Sequence, residues 1–117
     1  MKNNIKIAII GLGYVGLPLA VAFSKKFRVV GFDVNKLRIN QLKNSLDVTN
    51  EIKNKKNLQN KNILFSNNII KMKNSDFFII TVPTPIDKNN KPDLSLIKKA
   101  AITVGEIINK GAVVVLE

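Results

Sequence analysis

Three glycines and one acid carry the clearest chemical signal in this sequence. Gly11, Gly13 and Gly16 stand in G-x-G-x-x-G spacing within Gly11-Leu12-Gly13-Tyr14-Val15-Gly16, directly after the β-branched run Ile5 to Ile10. Asp33 follows twenty residues after Gly13, at the end of a second β-rich run, Arg28 to Phe32. Each residue has a mechanical reason. Gly11 lets the chain leave a strand in a tight turn, and Gly13, without a Cβ, lets a pyrophosphate approach the backbone. Gly16 lets the following helix lie close against the strand. The free N–H groups at that helix start carry about half a positive charge and face the phosphates. Asp33, at the carboxyl end of the second strand, is placed to accept hydrogen bonds from both adenosine ribose hydroxyls and to repel a 2′-phosphate. The predicted ligand is therefore NAD rather than NADP. The competing reading is a glycine turn that binds nothing, with Asp33 an ordinary strand-end residue. The ordered series of strand, glycines, helix, second strand and acid favours the nucleotide.

The elements that must position these residues are legible from hydrophobic pattern. The first strand, uniformly apolar, is predicted to be buried on both faces. A helix carrying Val15, Leu19, Ala22 and Phe23 at helical intervals follows it. Asn35 is placed to cap a helix through Leu37, Ile39, Leu42 and Lys43. Arg38, five residues after Asp33, either reaches back toward the adenosine or stands exposed on that helix. Residues 44–62 are polar, with Leu46, Val48, Ile52 and Leu58 as sparse anchors and a helix expected over about 51–60. Ile63-Leu64-Phe65 reads as a short strand, and 67–73 as a turn or short helix. Phe77 to Val82 is a very hydrophobic strand, ended by Pro83-Thr84-Pro85, where two prolines forbid helix and ladder pairing alike. After a polar loop over 86–91, a helix starts at Pro92-Asp93-Leu94-Ser95, capped by Asp93 or Ser95, and runs to Gly111. Ala112 to Leu116 is read as a final buried strand.

Strands alternating with helices predict an α/β fold: a doubly wound parallel sheet of Rossmann type, in a single domain. A ligand then binds outside the carboxyl ends of the strands, at the switch point between the first strand and the one ending near Thr81. That brings the Val82-Pro83-Thr84-Pro85 loop beside the Gly11–Gly16 turn. Thr84 either touches the rest of the dinucleotide or caps its own backbone.

Composition narrows the function classes. At 117 residues and 45% hydrophobic content the chain is one domain with a core of its own. Without cysteine or histidine it offers no disulfide, no thiolate metal site, no thiol nucleophile and no imidazole base. No metal site is expected. No apolar stretch is long enough to span a bilayer and no signal peptide is visible, so a cytoplasmic protein without membrane partners is expected. The net charge of +11 comes mostly from lysines scattered among asparagines between Lys43 and Lys73. That pattern lacks the arginine-rich or aromatic-interleaved character of a nucleic-acid surface, so nucleic acid is not an expected partner.

Taken together, these residues resemble the N-terminal domain of the UDP-glucose/GDP-mannose 6-dehydrogenase family. The matching pieces are Gly11 to Ala20, Gly31-Phe32-Asp33-Val34-Asn35, Val82-Pro83-Thr84-Pro85-Ile86-Asp87, Pro92-Asp93-Leu94, Val113 to Glu117 and the Asp47-x-Thr49-x-Glu51 segment. The wording is most similar to the bacterial branch that oxidises UDP-N-acetylhexosamines for surface polysaccharides. The resemblance implies oxidation of a sugar-nucleotide C6 hydroxyl to a carboxylate with two NAD+, through a thioester on a cysteine thiol. It implies that Gly11, Leu12, Gly13, Tyr14, Val15 and Gly16 cradle the pyrophosphate. Asp33 and Arg38 would hold the adenosine, and Pro83, Thr84 and Pro85 would line the nicotinamide half. Asp87 and Asp93 are left as turn and cap residues. The family's catalytic cysteine, lysine and asparagine lie later in its chains, so no catalytic residue is assigned here. The resemblance makes residues 1–117 a truncated cofactor domain, with the UDP-sugar domain and the dimer-forming helix outside it and a homodimer or higher homo-oligomer expected for the full-length protein. A stand-alone NAD-sensing domain, such as the regulatory domain of an ion channel, is the alternative; the Val-Pro-Thr-Pro loop and Pro18 count against it. Flavoproteins and methyltransferases share the opening turn but leave the proline loop unexplained.

Overall fold

The apolar runs become five parallel strands with helices on both faces of the sheet. The structure is a computed structural model and describes residues 4–47, 52 and 55–117. In chain order the elements are β1 (Lys6–Ile10), α1 (Gly16–Ser24), β2 (Arg28–Phe32), α2 (Lys36–Lys43), β3 (Ile63–Ser66), β4 (Phe77–Ile80), α3 (Ser95–Ile107) and β5 (Val113–Leu116). Two 3-10 turns, Lys55–Gln59 and Ile69–Met72, lie before and after β3. The sheet order is β3-β2-β1-β4-β5, all parallel. This is the doubly wound arrangement, with its switch point between β1 and β4.

Strand alternation divides β1 between two cores. Ile7 and Ile9 face α1 and α2, joining Leu17, Val21, Ile39 and Leu42. Ala8 and Ile10 face the other way, toward Phe78, Ile80, Val104 and Ile107. A central strand buried on both sides needs no polar face, which is why its sequence is continuously apolar. Among the described residues no helix is long and apolar enough to cross a membrane.

Four expectations need correction. The buried side of α1 is Leu17, Ala20, Val21 and Ser24, whereas Val15 precedes the helix and is exposed. Leu19 and Phe23 are half-buried and pack against the same core as expected, whereas Ala22 is exposed. In place of a helix over 51–60 the described part holds a 3-10 turn that buries Leu58; Val48, Thr49 and Glu51 lie outside the described residues. α3 ends at Ile107 rather than Gly111, because Ile108 is already extended; Gly111, at φ +91°, turns the chain into β5. Finally, β5 is exposed along its whole length. It is the outer strand, and α3 packs on β4 instead. Asn35 caps α2 as expected, its side chain accepting from the N–H groups of Leu37 (3.0 Å) and Arg38 (3.2 Å).

Phe78 is the largest fully buried side chain and stands at the centre of the α3-side core. Phe78→Ala is expected to cost on the order of 3–5 kcal/mol of unfolding free energy in urea titration, as lost transfer energy plus cavity.

Candidate cofactor site

The glycine turn is fixed by hydrogen bonds from both flanking strands. The Gly11 N–H donates to the Phe32 carbonyl at 2.8 Å, and the Gly11 carbonyl accepts from the Thr81 hydroxyl at 2.7 Å. Gly11 itself sits at φ +103°, a conformation costly for any residue with a Cβ. The next peptide groups are clamped from two sides. The Leu12 N–H donates to Asp33 Oδ2 at 2.9 Å, and the Leu12 carbonyl accepts from Arg38 Nε at 2.8 Å. The second oxygen of Asp33 accepts from the Asn35 N–H at 3.0 Å.

Gly16 and Gly13 are glycine for opposite reasons. A Cβ at Gly16 would collide with the Gly11 carbonyl and the Thr81 hydroxyl, so the close approach of α1 to the turn demands glycine. A Cβ at Gly13 would meet no protein atom within 4 Å. Nothing in the described fold requires Gly13; the space beside it is available to a ligand. The cap residue of α1, Val15, supplies no side-chain acceptor, while in the first turn the Leu17 N–H donates to the Gly13 carbonyl at 3.2 Å and Pro18 has no N–H. Vacant space beside Gly13, an uncapped helix start and the nearby Asp33 carboxylate suit a dinucleotide pyrophosphate and ribose.

These groups border a cleft of about 400 Å³. Its walls are the turn at Gly11–Gly13, the end of β2 with Asp33, the Val82–Pro83 exit of β4 and one side of α3. The structure thus gathers Gly11, Leu12, Gly13, Asp33, Arg38 and Pro83 around one space. Tyr14, Val15, Thr84 and Pro85 are exposed and lie outside that lining, and Gly16 is buried behind the turn.

Two residues do more than their sequence reading gave them. Arg38 is not an exposed helix arginine but is buried, 7% exposed. Besides holding Leu12, it pairs through Nη1 with Asp47 Oδ1 at 2.9 Å, and Asp47 Oδ2 accepts from the Ile52 N–H at 2.9 Å. Its Nη2 is buried without a hydrogen-bond partner among the described residues. Asp33 is first a turn anchor, since both its oxygens already accept backbone N–H groups; each keeps a further lone pair for a ribose hydroxyl. Asp87 is a turn residue as expected, whereas neither Asp93 nor Ser95 is the cap residue of α3. Asp87 Oδ1 accepts from the N–H groups of Asn89 and Lys91. Asp93 Oδ1 accepts from the Ser95 N–H at 2.9 Å, which holds its carboxyl below the usual carboxylate range, although Leu94 occupies the cap position.

Sequence reading missed Thr81, the Asp47 tie and the α3 wall formed by Leu96, Lys99, Ala100 and Thr103. For α3 a signal existed, since these positions share one helical stripe. For Thr81 the only signal was a hydroxyl at the end of an apolar strand. Removing Asp47 strands a buried guanidinium, so Asp47→Ala is expected to destabilise the chain by about 3–5 kcal/mol in urea titration. Arg38→Met with Asp47→Leu, which removes both charges, is expected to cost less than Asp47→Ala.

Comparison with known proteins places this geometry in a family. Residues 5–117 match the family model described as the UDP-glucose/GDP-mannose dehydrogenase family, NAD binding domain. The chain is 54% identical to Protein CapL of Staphylococcus aureus over 97% of its length, and 52% identical to the UDP-N-acetyl-D-glucosamine 6-dehydrogenase of Salmonella typhi over 98%. It covers 27% of each of those proteins. Among solved structures, the UDP-D-ManNAc dehydrogenase of Pyrococcus horikoshii superimposes with a TM-score of 0.91 at 32% identity, over 97% of this chain and 28% of that one. The chain therefore spans about a quarter of the length of the curated relatives it matches. By fold, by turn geometry and by sequence, the chain belongs to the UDP-glucose/GDP-mannose dehydrogenase family, as its NAD-binding domain.

Proposed function

We propose that this chain is the cofactor-holding part of a nucleotide-sugar 6-dehydrogenase. The full-length protein would oxidise the C6 hydroxyl of a UDP-sugar, of the UDP-N-acetylhexosamine class, to a carboxylate in the cytoplasm, for surface polysaccharide synthesis. The match to a UDP-N-acetyl-D-glucosamine 6-dehydrogenase at 52% identity supports that substrate class. The single observation that carries the cofactor assignment is the vacant space at Gly13 beside an uncapped helix start and an acid at the end of β2.

Within this reading the chain's own residues bind and orient. The backbone of the glycine turn, Gly11, Leu12, Gly13, Tyr14, Val15 and Gly16, holds the pyrophosphate at the start of α1. Asp33 accepts from the adenosine ribose through its remaining lone pairs, and Arg38 keeps the turn in place beneath it. Pro83, Thr84 and Pro85, at the exit of β4, border the nicotinamide half. Hydride acceptance is the chemistry the nicotinamide supplies when bound. The chain contains no cysteine, so the thiol of a thioester route has no counterpart among these 117 residues. By itself the chain is expected to bind NAD+ and to turn over no UDP-sugar; the substrate domain and the homo-oligomer contacts are assigned to the remaining length of the relatives' fold.

Two substitutions separate binding from folding. Gly13→Val adds a Cβ that meets no protein atom within 4 Å beyond its chain neighbours, so it is expected to leave thermal stability nearly unchanged. It should nevertheless weaken NAD+ binding by about tenfold or more in calorimetry, because its side chain occupies the phosphate approach. Asp33→Asn keeps an acceptor for Leu12 and removes the charge, so the preference for NAD+ over NADP+ should fall by about tenfold. Unchanged affinity in Gly13→Val, with a folded chain, would contradict the site.

A further inference from the structure

A second concavity lies at the opposite end of the sheet, where the strands begin. Lys6 opens β1 and Arg28 opens β2, and the two are register partners. Neighbouring strands stand about 4.8 Å apart, and partners in a parallel ladder project to the same face, so two cations sit side by side there. Lys61 precedes β3, and Lys71 belongs to the 3-10 turn after it. These four cations line one cleft of about 340 Å³, floored by Val30 and Leu64.

The cleft exists because the β3-to-β4 crossover is a single 3-10 turn instead of a helix, which leaves Leu64 45% exposed. Like charges converging on a concavity repel one another unless something of opposite sign joins them. Among the described residues the side chains of Arg28, Lys61 and Lys71 have no hydrogen bond or ion pair, and the neighbouring acid, Asp76, accepts from the Lys6 backbone N–H at 2.9 Å. Lys6 Nζ donates to the Lys73 carbonyl at 2.6 Å. Its pKa is lowered from the ordinary lysine value, first by burial and then by Arg28, with Lys71 adding to the effect and Asp76 opposing it.

We propose that this cleft is an anion site, separate from the cofactor cleft, that takes a diphosphate group. Four cations lining one space of about 340 Å³ suit a multiply charged anion, and a diphosphate carries more charge over a greater length than one orthophosphate. The diphosphate can be free or part of a nucleotide.

The probe is inorganic pyrophosphate, titrated calorimetrically into the wild-type chain, into Arg28→Ser/Lys61→Ser, and into the control Lys98→Ser/Lys110→Ser. The control loses the same charge from exposed positions away from both clefts. Pyrophosphate affinity is expected to fall about tenfold in the cleft variant and less than about twofold in the control, with NAD+ affinity unchanged in both. UDP serves as the second arm: loss of UDP binding parallel to that of pyrophosphate marks a nucleotide diphosphate as an acceptable source, and loss of pyrophosphate binding alone marks the free anion. Equal losses in the two variants mean diffuse charge and overturn the proposal. So does tighter binding of a single-stranded oligonucleotide that falls in the cleft variant, which would make the surface a nucleic-acid face.

Discussion

The peptide at Leu12 is the point on which the site depends. Its N–H is held by Asp33 from the end of β2, and its carbonyl is held by Arg38 from α2. Hydrogen bonds with a charged partner contribute roughly 1.5–3 kcal/mol each, about twice a neutral one. Because donor and acceptor of one residue are fixed by two different elements, the turn cannot rotate without breaking both. Thr81 adds a third attachment from β4, through the Gly11 carbonyl. The turn is thereby fastened to both neighbours of β1 before any ligand arrives, which lowers the ordering entropy that binding would otherwise cost.

The rest of the sheet serves that point. A parallel order of β3-β2-β1-β4-β5 places β1 at the centre, with its two neighbours ending level with it. Helices on both faces bury the alternating residues of β1 and stop the strand from sliding in register. Arg38 extends the arrangement outward through Asp47 to Ile52, so the polar excursion after α2 is tied to the same turn. At the far side β5 has no such support and is exposed on an edge.

Much of this was legible in the sequence, for definite reasons. Strand β2 and the Asn35 cap follow from local chemistry, and local chemistry decided them. The G-x-G-x-x-G turn was legible because each glycine has a steric duty, although only Gly11 and Gly16 owe theirs to the protein itself. The exposure of Val15 and Ala22 at α1, the burial of Arg38 and the exposure of β5 were not legible. They depend on where a helix starts relative to a turn, on a partner nine residues away, and on which strand lies at an edge. Asp33 illustrates the boundary well. Its type and spacing pointed to a ribose, and its backbone bonds to Leu12 and Asn35 emerged only from the fold.

The central claim is that the glycine turn and the end of β2 form one dinucleotide site. It is tested most directly by titrating NAD+ into the isotopically labelled chain and following backbone amide resonances. Leu12 to Gly16, Asp33 to Asn35 and the amides of Val82 and Thr84 are expected to shift together along a single saturation curve. Amides around Lys6, Arg28 and Lys61 should stay in place. Unmoved resonances at the turn in millimolar NAD+, or shifts centred on the far end of the sheet, would contradict it.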